Sequence, residues 1–233
     1  MAISTPKTGR IAIIGASGYG GLQLVKLINE HPNFEISTLN GERSVGKSWN
    51  EINPFMKIFG DKKITKSNID EIAQDSDYAI LSLPNGLSSQ LTPLLLEKGI
   101  KVLDLSADYR FKSLDKWKEV YTKEAAKYPR YDHELCEEAI YGFSEEFSRE
   151  ISKSRLIACP GCYPTASLSL LIPFLKQGLI ESEGIIIDAK SGTSGGGRNP
   201  SEQLLLSESS ESIRPYGVMG HRHRAEIERI ASH

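Results

Sequence analysis

Short apolar runs broken by turns set the pattern of the first half of the chain. "RIAIIGASG", from Arg10, runs through consecutive apolar residues into a glycine turn and predicts a buried strand. "YGGLQLVKLINEH" follows, with Leu22, Val25, Leu27 and Ile28 near helical spacing until Pro32 stops it. "NFEISTL", "DYAILSLP" and "IKVLDLS" predict three further strands, and "SSQLTPLLLEKG" a helix closed by Gly99. Strands buried on both faces and separated by helices imply a parallel sheet with right-handed crossovers. The stretch "FKSLDKWKEVYTKEAAKYPRYDHEL" is charged and aromatic without a clean period, so it predicts a long, partly helical excursion.

From Arg155 the pattern changes. "RLIAC" predicts a strand, "YPTASLSLLIPFLKQG" a helix and "GIIIDAKSG" a strong strand, whereas "SGTSGGGRNP" is too rich in glycine for regular structure. A Ser/Glu-rich stretch and a helix opening at "HRHRAEIERI" follow. The expected organisation is one α/β unit over residues 1–150 and a second over 151–233.

Composition narrows the function classes. With 39% hydrophobic and 25% charged residues the chain fits an ordinary globular protein, and a formal net charge of -2 points to no polyanion partner. No apolar run approaches the length that crosses a bilayer, and "MAISTPKTGR" lacks an apolar signal core, so a cytoplasmic protein is expected. Three cysteines make no disulfide framework.

"GASGYGG" puts Gly15, Gly18 and Gly21 between a strand and a helix, where glycines let the backbone turn tightly against a pyrophosphate. The cradle spans Gly15, Ser17, Gly18, Tyr19, Gly20 and Gly21. After the second strand, "NGERSVGK" offers only Glu42 as an acid for ribose hydroxyls, while Arg43, Ser44 and Lys47 suit a 2'-phosphate. NADP is the expected cofactor.

Cys159 and Cys162 share C-x-x-C spacing, which is compatible with a metal clip, a redox pair or one nucleophile. A zinc clip needs a second ligand pair, for which only His221 and His223 stand ready; none is expected. Cys159 ends an apolar strand and suits the core, and Cys136 has no evident role. Cys162 follows Pro-Gly at the mouth of a helix, where the dipole and free N–H groups favour a thiolate. His221 and His223, with Glu226 close behind, supply a candidate base and its orienter.

"GASGYGG", "LDLSADYRF", "YGF", "PGCYPTA", "DAKSGTSGGGR" and "GHRHRAEI" occur in the order found in the N-acetyl-gamma-glutamyl-phosphate reductase family, which is related to the aspartate-semialdehyde dehydrogenases. The resemblance implies a Rossmann NADP-binding domain followed by a glyceraldehyde-phosphate-dehydrogenase-like α+β catalytic domain that forms dimers or tetramers. It implies acyl-phosphate reduction through a Cys162 thioester, with His221 as acid/base, His223 in reserve and Glu226 orienting the imidazole. It also implies that Arg110 receives the substrate phosphate near Ser106, that Arg214 holds a carboxylate, and that Pro84, Asn85, Ser191 and Gly192 lie on the nicotinamide side. Family members continue beyond "EIERIASH", so the chain is expected to stop inside its catalytic domain and to lack activity alone. The lysine-pathway reductase of a carrier-bound aminoadipyl phosphate shares the fold and the cysteine and is the alternative. A non-catalytic NADP-binding sensor is the third reading, against which Cys162 and the histidines stand.

Overall fold

Six parallel strands form the centre of the computed structural model, which describes residues 8–56 and 59–232. They are β1 (Gly9–Ile14), β2 (Phe34–Asn40), β3 (Tyr78–Leu81), β4 (Lys101–Asp104), β5 (Ile140–Tyr141) and β6 (Leu156–Ala158). Their order across the sheet is β2-β1-β3-β4-β6-β5. β1 lies between β2 and β3, so the chain reverses its direction of travel there and leaves a crevice at the C-terminal ends of β1 and β3. The expected parallel α/β sheet is present.

Helices cover both faces. In chain order they are α1 (Tyr19–Asn29), α2 (Trp49–Ile52), α3 (Ile69–Asp75), α4 (Ser88–Glu97), α5 (Leu114–Val120), α6 (Thr122–Lys127), α7 (His133–Glu138), α8 (Ser144–Lys153), α9 (Cys162–Lys176), α10 (Leu206–Ser209) and α11 (Arg222–Ala231). Alternate residues of the strands feed two cores. Ile11, Ile13, Val25 and Trp49 pack on one face of the sheet, and Ala12, Ile14, Leu81, Leu95, Trp117 and Leu156 on the other. The charged and aromatic excursion is α5 to α7, anchored by buried Trp117 and Tyr121.

The sheet runs through the expected boundary at residue 150. β6 lies beyond it, yet pairs with β4 on one side and β5 on the other. α9 and α11 then pack on each other and on Tyr141 and Phe143, around Leu168, Ile172 and Ile230.

One expected strand is absent. Residues 184–192, "GIIIDAKSG", are irregular and exposed, with Ile186 91% accessible. An apolar run becomes a strand only where a neighbouring strand takes its N–H and C=O groups, and among the described residues none lies beside it. Elements outside the expectation are the two-residue β5, the short helices α2, α3 and α10, and α8, whose amphipathic pattern is broken by a non-helical Phe147.

Candidate active site

The glycine turn is built as its composition demands. Gly15 sits at φ +90°, and a Cβ there would meet the Ser82 carbonyl at 2.2 Å. A Cβ on Gly21 would stand 2.4 Å from the Gly15 carbonyl, so these two glycines let α1 lie against β1 and β3. Gly18 differs, because its Cβ would meet nothing nearer than 3.6 Å. It caps α1, which has neither a capping side chain nor an acid in its first turn. Open space above free N–H groups at the positive end of an 11-residue helix fits a dinucleotide pyrophosphate. Ser17 is half-buried, whereas Tyr19 and Gly20 are exposed at the turn. Arg43 and Ser44 lie in the turn Glu42–Ser44 that follows β2, with exposed Lys47 just after it. The Arg43 guanidinium donates to Asn199 Oδ1 at 2.6 Å.

The loops after β3 and β4 hold each other. Asn85 Oδ1 accepts from the Ala107 N–H at 3.0 Å. Asp108 accepts from the N–H groups of Gly86 and Ser89 at 2.6 and 2.9 Å, which fixes the turn behind exposed Pro84. Asp104 accepts from both the N–H and the hydroxyl of Ser106, at 2.9 and 2.7 Å. Burial, reinforced by the charge of Asp108, pushes the Asp104 carboxyl up to about 6. Ser106 is therefore a buried member of the loop framework.

Cys162 opens α9, a helix of 15 residues with no side-chain cap and no acid in its first turn. It is exposed, while Gly161 before it is buried. Pro164 suits the first turn, where a missing N–H costs nothing. Gly161 is also a steric necessity, since a Cβ there would lie 2.6 Å from His223 Nε2 and 2.8 Å from Arg110 Nη1.

Glu226 has another task than the one the resemblance implies. Its carboxylate is fully buried and accepts from Tyr141 Oη at 2.6 Å, from the Gly161 N–H at 2.9 Å and from Arg110 Nη1 at 3.2 Å. Its hydrogen bonds go to the turn that presents Cys162 and to neither imidazole. Arg110 lies on the other side of that carboxylate. It is buried, and its remaining nitrogens donate to the carbonyls of Cys159 and Leu105, each at 2.9 Å. Buried and bonded through all three nitrogens, the guanidinium sits beneath the cysteine turn as a clamp would.

The histidines differ by environment. His221 caps α11, its Nδ1 accepting from the His223 N–H at 3.2 Å, which leaves Nε2 as its working nitrogen. Burial, with the charge of Arg222, lowers its basicity. His223 is buried, and burial, with Arg110 next in weight, drives it down to about 3. Among the described residues its Nδ1 has no hydrogen-bond partner. The Tyr163 ring lies 5.2 Å from His221 and 5.8 Å from His223, and Tyr216 lies 5.5 Å from His221 with its hydroxyl bonded to that of Tyr163.

Gly161 and Tyr163, which flank Cys162, thus bring its turn against His221, His223, Glu226 and Arg110. Ser191, Gly192 and Arg214 do not join them; they are exposed in the irregular stretch between α9 and α11. Tyr141, Tyr163 and Tyr216 were missed as members of the site, although Tyr141 and Tyr163 stand inside the motifs "YGF" and "PGCYPTA". Cys159 and Cys136 are unsuited to thiolate chemistry, because burial pushes their thiols up to about 12 and about 11. No group of three metal-ligating side chains occurs among the described residues, and no described helix is long and apolar enough to cross a membrane.

Two family models match the chain: the semialdehyde dehydrogenase NAD binding domain over residues 10–154 and the semialdehyde dehydrogenase dimerisation domain over residues 162–233. Among curated proteins, N-acetyl-gamma-glutamyl-phosphate reductase of Prochlorococcus marinus strain NATL2A is 94% identical over 233 residues, which is 100% of this chain and 65% of that protein. The protein of the same name from Synechococcus sp. strain CC9605 is 56% identical, with 98% of this chain and 64% of that protein covered. The chain therefore spans about 65% of the length of such relatives. Aspartate semialdehyde dehydrogenase II of Vibrio cholerae, solved in complex with ASA, matches at a TM-score of 0.51 and 22% identity. It covers 73% of this chain and 47% of its own, a likeness of fold alone.

Proposed function

This chain belongs to the semialdehyde dehydrogenase family, and we propose that it carries the cofactor cradle and the cysteine of an NADPH-dependent reductase of N-acetyl-glutamyl 5-phosphate. The observation that carries this reading is the presentation of Cys162. An exposed thiol opens a 15-residue helix, on a turn held from below by Glu226, and the next residue, Tyr163, packs its ring against both imidazoles. The names of the relatives support the substrate.

The Cys162 thiol gives its proton to His221 Nε2 as its sulfur attacks the acyl carbon, the bond from that carbon to the phosphate oxygen breaks, and phosphate leaves with a thioester on the protein; the imidazolium later protonates the alkoxide that reduction leaves. When bound, the dinucleotide supplies the hydride that reduces such a thioester. Collapse of the resulting hemithioacetal breaks the carbon–sulfur bond and releases the semialdehyde. His221 Nε2 takes the hydroxyl proton in that collapse and returns it to sulfur. His223, driven to about 3 by burial, stays neutral and packs beneath the turn. Glu226 and Arg110 are positioning residues that fix Gly161. The α1 N-terminus and Gly18 hold the pyrophosphate, and Arg43, Ser44 and Lys47 favour the 2'-phosphate of NADP over NAD. The cytoplasm is the expected compartment, and association of copies through residues 162–233 is the assembly that the name of the second family model supports.

The first half-reaction tests this without turnover. Incubated with N-acetyl-glutamyl 5-phosphate, the chain releases phosphate and gains an acyl group on Cys162, detected by mass spectrometry; Cys162→Ser does neither, while NADPH binding persists. Acylation by an aminoadipyl phosphate in place of the acetylglutamyl compound transfers the assignment to the lysine-pathway reaction.

A further inference from the structure

The glycine-rich run 191–200 lies mostly free of the rest of the chain, yet two of its side chains return to the cofactor crevice. Arg198 Nη1 donates to the Ser17 carbonyl at 2.8 Å and Nη2 to the Ile52 carbonyl at 2.9 Å, with the guanidinium 5.9 Å from the centre of the Tyr19 ring. Its neighbour Asn199 accepts from Arg43. The short 3-10 turn Thr193–Gly196 and Gly197 at φ +82° bend the run to permit this.

These contacts fix which end of the crevice Arg198 reaches. Ser17 Oγ stands 3.4 Å from where a Cβ on Gly41 would lie, and Gly41 leads into the turn Glu42–Ser44. Arg198 is therefore on the adenosine side, beside Arg43. Glu42 is the only acid in that turn, and the bond from Arg43 to Asn199, 156 residues away in the chain, brings the residue next to Arg198 to it. The two carbonyls and Asn53 Oδ1, which accepts from Nη1 at 3.5 Å, occupy three N–H donors, which leaves two of the five on Arg198 for a ligand.

We propose that Arg198 is a second specificity residue for the 2'-phosphate of NADPH, brought to Arg43 by the glycine-rich run. A paired guanidinium suits a phosphate dianion, and its carbonyl contacts hold the charge in place before the ligand arrives. The inference rests on the dinucleotide reading of the cradle.

Fluorescence titrations with NADPH and NADH test it in the unaltered chain, Arg198→Ala and Arg198→Lys, with thermal melting as the check on folding. Arg198→Ala is expected to weaken NADPH about tenfold, the loss of one charge-assisted contact, and NADH less than about twofold. Arg198→Lys, which keeps the charge, is expected to retain most of the preference. Equal weakening of both nucleotides, or unchanged NADPH affinity in Arg198→Ala, overturns the proposal and leaves Arg198 a clasp for its loop. An unaltered chain that binds neither nucleotide removes the dinucleotide reading itself, and this inference with it.

Discussion

The backbone N–H of Gly161 donates to Glu226 at 2.9 Å across 65 residues of chain. That bond ties the start of α11 to the turn that ends β6, and so the histidines to the nucleophile. Because the same carboxylate balances buried Arg110, it is a structural and a functional element at once.

Glu226→Ala therefore leaves Arg110 buried without a counter-charge. The expected cost is about 3–5 kcal/mol of unfolding free energy, read from urea denaturation. Tyr141→Phe removes one of the two donors to Oε1 and is expected to cost only about 1–2 kcal/mol. Equal, small effects of both changes contradict the clamp.

Thiol labelling should single out one cysteine. Cys162 is exposed, whereas burial holds Cys159 up to about 12 and Cys136 up to about 11, so both stay protonated and inert at neutral pH. Brief iodoacetamide treatment of the folded chain is expected to give a single adduct at Cys162. Fast labelling of Cys159 restores the thiol pair.

His223 predicts acid sensitivity. Its folded value of about 3 lies below the ordinary 6.5, so the unfolded chain binds the proton first. Stability is kept above pH 6.5 and lost as the pH falls from there towards 3. Asp104, raised to about 6, works in the opposite sense, adding stability below the ordinary 3.8 that is lost as pH rises through 6. The comparison with His223→Gln isolates the histidine: the urea midpoint of the variant is expected to fall less between pH 7 and pH 5, ordinary laboratory points inside that window. Parallel slopes mean that His223 does not titrate this way.

The three glycines of the turn should separate by readout. Gly15→Ala and Gly21→Ala drive a methyl into backbone and are expected to cost more than about 1 kcal/mol. Gly18→Ala meets open space, so stability should change by less than about 0.5 kcal/mol while NADPH binding weakens. Unchanged nucleotide affinity in Gly18→Ala moves the pyrophosphate away from this helix end.

Much of the architecture was legible in the chain itself. β1, β2, β3, β4 and β6 are short apolar runs, and α1 and α4 carry their stop signals in Pro32 and Gly99, so local chemistry suffices for them. The glycine cradle and the placing of Cys162 at a helix start are equally local. Tertiary structure decided the rest, because it depends on partners distant in sequence. "GIIIDAKSG" has every property of a strand except a neighbour to bond it, and it remains exposed. Spacing put Glu226 within reach of the histidines; its hydrogen bonds go instead to Gly161, Tyr141 and Arg110, which are 65, 85 and 116 residues away. Arg110 reads as a phosphate receptor in its motif and becomes a buried clamp, since only the fold determines which side of a loop meets solvent. His221 and His223 are indistinguishable as letters, and burial with the charge of Arg110 is what drives His223 down to about 3.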